Sequence, residues 1–83
     1  MDQAAVWQRL TSVFREVFDD EDIVIRPETT AKQVVGWDSL AHIQLLVAVE
    51  QAFKVRFNTG EVAALQNVGE MVSLIMAKTG AAA

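Results

Sequence analysis

The chain has 83 residues, 52% of them hydrophobic, and a formal charge of −4, which bounds it to one small domain. Its 11 acids against 7 bases argue against nucleic acid, whose phosphates need a basic face, and the absence of cysteine excludes disulfides, thiolate catalysis and cysteine-based metal sites. No apolar run reaches the ~18–20 residues of a transmembrane helix, and Met1-Asp2-Gln3-Ala4-Ala5 has no basic stretch ahead of an apolar one, so a cytoplasmic protein without a membrane partner is expected.

Asp2 to Phe18 reads as a helix started by an Asp2 cap, because Val6, Leu10, Val13, Phe14, Val17 and Phe18 recur on one face. Trp7 sits beside that stripe, and Gln8, Arg9, Ser12, Arg15 and Glu16 fall mostly on the wet side. Asp19-Asp20-Glu21-Asp22 lacks the spacing of a calcium loop and reads as a solvated loop start. Ile23-Val24-Ile25 is β-branched, but no second run in the chain could pair with it as a strand. It is expected to be extended loop, its Ile and Val side chains pinning the loop to the core. Pro27 disfavours helix at Arg26, a turn of helix fits between Glu28 and Val34, and Val34, Val35 and Trp37 are expected to tuck inward.

Gly36-Trp37-Asp38-Ser39-Leu40 then leads into the most apolar run of the sequence, a helix from about Ser39 to Phe53. Either Asp38 or Ser39 can cap it, since both carry a short side-chain oxygen. Its apolar residues form two faces, Leu45, Leu46, Val49 and Phe53 on one and Leu40, Ile43 and Val47 on the other. A helix apolar on both sides is buried twice over or lends one side to a ligand or partner. Lys54 and Arg56 suit its C-terminus. Asn58-Thr59-Gly60-Glu61 forms a capping box opening a short helix to about Leu65. Asn67-Val68-Gly69-Glu70 repeats the device before a last helix with Val68, Met71, Val72 and Ile75 on one face; residues from about 79 to 83 should fray. The expected fold is all-α: a small four-helix bundle over residues 1–83, with three main helices, one short one and a long loop after the first.

Asp38-Ser39-Leu40, its near-central position and the apolar helix running on to Glu50 and Phe53 resemble the acyl carrier protein family. That resemblance covers roughly the whole chain and is best from Thr30 to Phe57. It implies a non-catalytic carrier, with 4′-phosphopantetheine attached to Ser39 by a phosphopantetheinyl transferase that draws on coenzyme A and magnesium. Acyl groups would ride on the arm as thioesters, delivered to acyl-loading and acyl-processing enzymes of fatty-acid, polyketide or related biosynthesis. It further implies a monomer, with Trp37, Asp38, Leu40, His42, Ile43, Val47 and Glu50 as the residues partners recognise. Familiar fatty-acid carriers hold acids where this chain has Ala41, Gln44, Gln51 and Ala52, which points to a specialised member.

Two other readings stand beside it. A helical interaction module without a prosthetic group would leave Ser39 unmodified and fill a groove with a partner helix. A small hydrolase would set Ser39 beside His42, three residues on, as nucleophile and base. That second reading lacks the Gly-x-Ser-x-Gly elbow and a placed acid to orient the ring.

Overall fold

The computed structural model describes residues 2–34 and 36–80, and the described residues are all-helical apart from loops and turns. Helix α1 (Gln3–Val17) is followed by a long loop containing a 3-10 turn (Ala31–Gln33), then α2 (Ser39–Phe53), the short α3 (Thr59–Ala64) and α4 (Val68–Thr79). Helix α1 packs against both α2 and α4.

The periodicity that marks each helix also sets its packing. Val6, Leu10, Val13 and Phe14 of α1, Leu45, Leu46, Val49 and Phe53 of α2, and Val68, Met71, Val72 and Ile75 of α4 form one buried cluster. Each fully buried large side chain is worth about 1.5–3 kcal/mol relative to its exposed state, so this cluster dominates the stability of a domain this small. Phe14, Leu46, Phe53 and Ile75, each on the apolar face of its helix, meet in it as their spacing predicts.

Most helix ends follow the local chemistry. Asp2 caps α1 by accepting from the Ala5 N–H at 2.9 Å, and Asn58 and Glu61 form the full reciprocal box at α3, at 2.8 and 2.9 Å. At α4 the repeat is only partial. Asn67 accepts from the Glu70 N–H at 2.8 Å, but the Glu70 carboxylate reaches one residue further back, to the Gln66 N–H at 3.1 Å. Lys54 does not sit in the last turn of α2; it is the C-cap itself, in the left-handed region at φ 55. Helix α4 continues through Thr79, whose hydroxyl donates to the Ile75 carbonyl at 2.9 Å, and Gly80 caps it at φ 69, so the first two residues of the expected tail are the helix end and its cap. The rest of that expected tail, 81–83, and Val35 lie outside the described residues.

The long loop is anchored by the β-branched segment and by α4. Ile25 is buried and Ile23 packs on the core, but Val24 is 65% exposed and pins nothing. An extended chain turns alternate side chains to opposite sides, so one of the three must face water. Further on, the Val68 N–H donates to the Thr29 carbonyl and the Gly69 N–H to the Pro27 carbonyl, both at 2.9 Å. These bonds satisfy amides in the first turn of α4 that have no acceptor within the helix. The approach is so close that a Cβ on Gly69 would lie 2.8 Å from the Pro27 carbonyl oxygen, which explains glycine at that position.

Candidate functional site

The loop returns to the bundle at Gly36 (φ 88), a backbone angle that glycine adopts at little cost. Trp37 follows and turns inward. Its ring meets Phe14 edge-on at 5.3 Å and 82°, and Phe18 at 6.1 Å. This aromatic triad fixes the last loop residues against α1 and so sets where α2 begins.

Asp38 caps α2: its carboxylate accepts from the Ala41 N–H at 2.8 Å, while its carbonyl accepts from the His42 N–H at 2.8 Å. Ser39 is therefore the first helical residue and not the cap, the alternative that spacing left open. Its side chain is exposed, and among the described residues its hydroxyl has no hydrogen-bond partner. The Ser39 and Leu40 amides, at the open end of the helix, have no helical acceptors either. An uncommitted hydroxyl thus stands at the positive end of a 15-residue helix, where an attached anion is favoured.

His42 lies three residues on, half-buried and stacked on Trp37 with ring centroids 5.8 Å apart at 26°. The indole Nε1–H donates to His42 Nδ1 at 2.9 Å. An indole can only donate, so this Nδ1 carries a lone pair and the proton of the neutral ring sits on Nε2. Burial lowers the pKa of His42 below its ordinary value, favouring the neutral ring. A base whose Nδ1 lone pair is already taken by an indole does not make Ser39 a nucleophile, and the Asp38 carboxylate in the same cleft is bonded to the Ala41 N–H and not to the ring.

Ser39, Asp38, Trp37 and His42 line a shared cleft of about 370 Å³, closed by Ala31 of the 3-10 turn and Leu65 after α3. Farther along α2, Leu40, Ile43 and Val47 are 65%, 60% and 47% exposed, forming the second apolar face, while Gln44 and Gln51 are exposed between and beyond them. The residues expected to meet partners divide accordingly. Leu40, Ile43 and Val47 are free to be touched, whereas Trp37 is committed largely to the core and His42 to Trp37. Glu50, read in the sequence as an acid for partners, is half-buried, and its carboxylate accepts from the Phe57 N–H at 2.8 Å.

The family described as "Phosphopantetheine attachment site" matches residues 8–75. An acyl carrier protein of Prochlorococcus marinus (strain MIT 9515) is 28% identical over 80 residues, spanning 96% of this chain and 100% of that protein. The solution NMR structure of holo acyl carrier protein from Geobacter metallireducens superposes with a TM-score of 0.86 at 41% identity, covering 90% of this chain and 86% of that one.

Proposed function

The chain belongs to the acyl carrier protein family, and on that premise we propose that Ser39 bears the phosphopantetheine group and that the chain delivers acyl thioesters to enzymes of fatty-acid, polyketide or related biosynthesis. Proteins of this family are non-catalytic carriers on which other enzymes act. The observation that carries the assignment is the state of Ser39: exposed, at the loop–helix junction, with a hydroxyl released from capping by Asp38. The fit to a phosphodiester is good, since the free amides of the first turn of α2 favour an anion there. Ser39 needs no activating base of its own, because the transferase with its magnesium supplies the chemistry. The tether turns each delivery into an encounter at high effective concentration, so an acyl group passes between active sites without release. This reading includes a monomer in the cytoplasm, met by partners over the exposed face of Leu40, Ile43 and Val47. Within the described residues no helix is long and apolar enough to cross a membrane.

Incubation with coenzyme A, magnesium and a broad-specificity phosphopantetheinyl transferase should add the mass of one phosphopantetheine, and Ser39→Ala should add none. Ser12 and Ser73 are also exposed, and modification at either one would refute the assignment.

A further inference from the structure

We propose that His42 donates a hydrogen bond from its Nε2–H to the phosphodiester on Ser39, holding the root of the prosthetic arm in the cleft between Trp37 and Leu65; this rests on attachment at Ser39. The Trp37–His42 pair is a fixed unit lining the same cleft as Ser39. Trp37 is locked by Phe14 and Phe18, it stacks on His42, and its indole N–H fixes the imidazole tautomer. The consequence is a donor at Nε2 that has no partner among the described residues, on a ring lining the same cleft as Ser39. A phosphodiester on the Ser39 oxygen introduces an anion with oxygens that only accept. A neutral imidazole meets it with one N–H; a protonated one would meet it with charge as well.

Of the residues that line this cleft from the 3-10 turn, the loop, α2 and the segment after α3, Asp38 is the one ionisable group besides His42. The Asp38 carboxylate is bonded to the Ala41 N–H. Among the described residues neither a lysine nor an arginine lines the cleft, so His42 and the helix amides are what they offer an anion.

The test compares the apo and holo forms of the whole chain by NMR, after intact mass has established that Ser39 is loaded. His42 is the one histidine of the chain, which makes its imidazole signals unambiguous. Three results are expected. The neutral ring carries its proton on Nε2 in both forms. The pKa of His42 rises on loading by at least about 0.3 unit, as a nearby anion stabilises the imidazolium. The phosphorus resonance moves between about pH 5 and 8, a range in which a diester itself does not titrate and in which histidine does. With His42→Phe, which keeps a flat ring against Trp37 and removes both nitrogens, that movement should vanish. A His42 pKa unchanged by loading, a neutral proton on Nδ1, or a phosphorus shift indifferent to His42 would each overturn the inference while leaving attachment at Ser39 intact. Absence of the added mass at Ser39 would instead remove the attachment itself, and this inference with it. If His42→Phe fails to fold, the apo-to-holo comparison of the unsubstituted chain still decides.

Discussion

The Glu50 carboxylate on α2 accepts the backbone N–H of Phe57, seven residues later, at 2.8 Å. It closes the turn that carries the chain from α2 into α3, just past the left-handed Lys54 cap. A charged acceptor on a half-buried amide is worth about 1.5–3 kcal/mol. Glu50→Ala should therefore cost about 1–2 kcal/mol in urea unfolding after allowance for solvent screening, and Glu50→Gln, which keeps an acceptor oxygen, clearly less. Equal losses in the two variants would mean that the charge, and not the bond to Phe57, is what matters.

The two residues at the start of α2 should separate cleanly. Asp38→Ala removes the bond to the Ala41 N–H and should cost about 0.5–2 kcal/mol. Ser39→Ala removes an exposed hydroxyl with no partner among the described residues and should stay within about 0.5 kcal/mol of the parent in the apo form. Thermal unfolding of both variants checks this. A destabilised Ser39→Ala with an unaffected Asp38→Ala would reverse the roles given to the two side chains.

Leu46 and Leu40 occupy the two apolar faces of one helix, and the same substitution should read them differently. Leu46 is buried in the central cluster, so Leu46→Ala should cost about 2–5 kcal/mol. Leu40 is 65% exposed, and Leu40→Ala should fall within about 0.5 kcal/mol of the parent. Denaturant midpoints at an unchanged m-value give the comparison. A loss under about 0.5 kcal/mol at Leu46 would mean that the wrong face of α2 had been taken as core.

Much of this architecture is legible in the sequence because it is local. Helix α2 runs over Ser39–Phe53 as its apolar spacing predicts, and the Asn58–Glu61 box opens α3 where the tetrapeptide places it. What escapes is the tertiary use of polar groups. Glu50 reads as an acid for partners, and no periodicity reports a reach of seven residues to Phe57. Asp38 and Ser39 are equivalent as caps until the backbone assigns one of them to the cap position. Gly69 reads as part of the Asn67–Glu70 cap, and nothing local reports that the Pro27 carbonyl comes within 2.9 Å of its backbone nitrogen. Trp37 and His42 are five apart across the loop–helix junction, and neither helical nor strand spacing pairs them.

That pair makes stability depend on pH. Burial holds the pKa of folded His42 below its ordinary value of 6.5. Above pH 6.5 both the folded and the unfolded chain carry a neutral imidazole, and this contribution to stability is complete. As the pH falls through that value the unfolded chain takes up a proton that the folded chain resists, and stability declines until the lower folded pKa is passed. Protonation at Nδ1 also removes the acceptor for the Trp37 indole. Urea midpoints between about pH 5 and 8 should fall on the acid side. In His42→Phe that component should disappear; if the same slope persists without the imidazole, His42 is not its source.

The last prediction concerns partner choice, and it turns on what α2 lacks. Gln44 and Gln51 are exposed and Ala41 is half-buried, at positions where the resemblance to fatty-acid carriers implies acids. Glu50, the acid that remains, is engaged with Phe57. Each exposed ion pair is worth about 0.2–1 kcal/mol, so the absence of three weakens an encounter with a basic enzyme surface by about 0.6–3 kcal/mol, roughly 3- to 150-fold if the terms add. Fewer charges also steer the approach, which makes the dependence on salt shallow. The apolar stripe of Leu40, Ile43 and Val47 remains as the surface a partner can cover, with burial on the order of 25 cal/mol per Å² to draw on. The holo chain should therefore be a poor substrate for a ketosynthase of general fatty-acid synthesis. The combined change Ala41→Asp, Gln44→Glu, Gln51→Glu should improve it and steepen its salt dependence. If the parent chain already loads as well as a fatty-acid carrier and the added acids change nothing, then charge on α2 does not choose its partners, and the case for a specialised carrier falls.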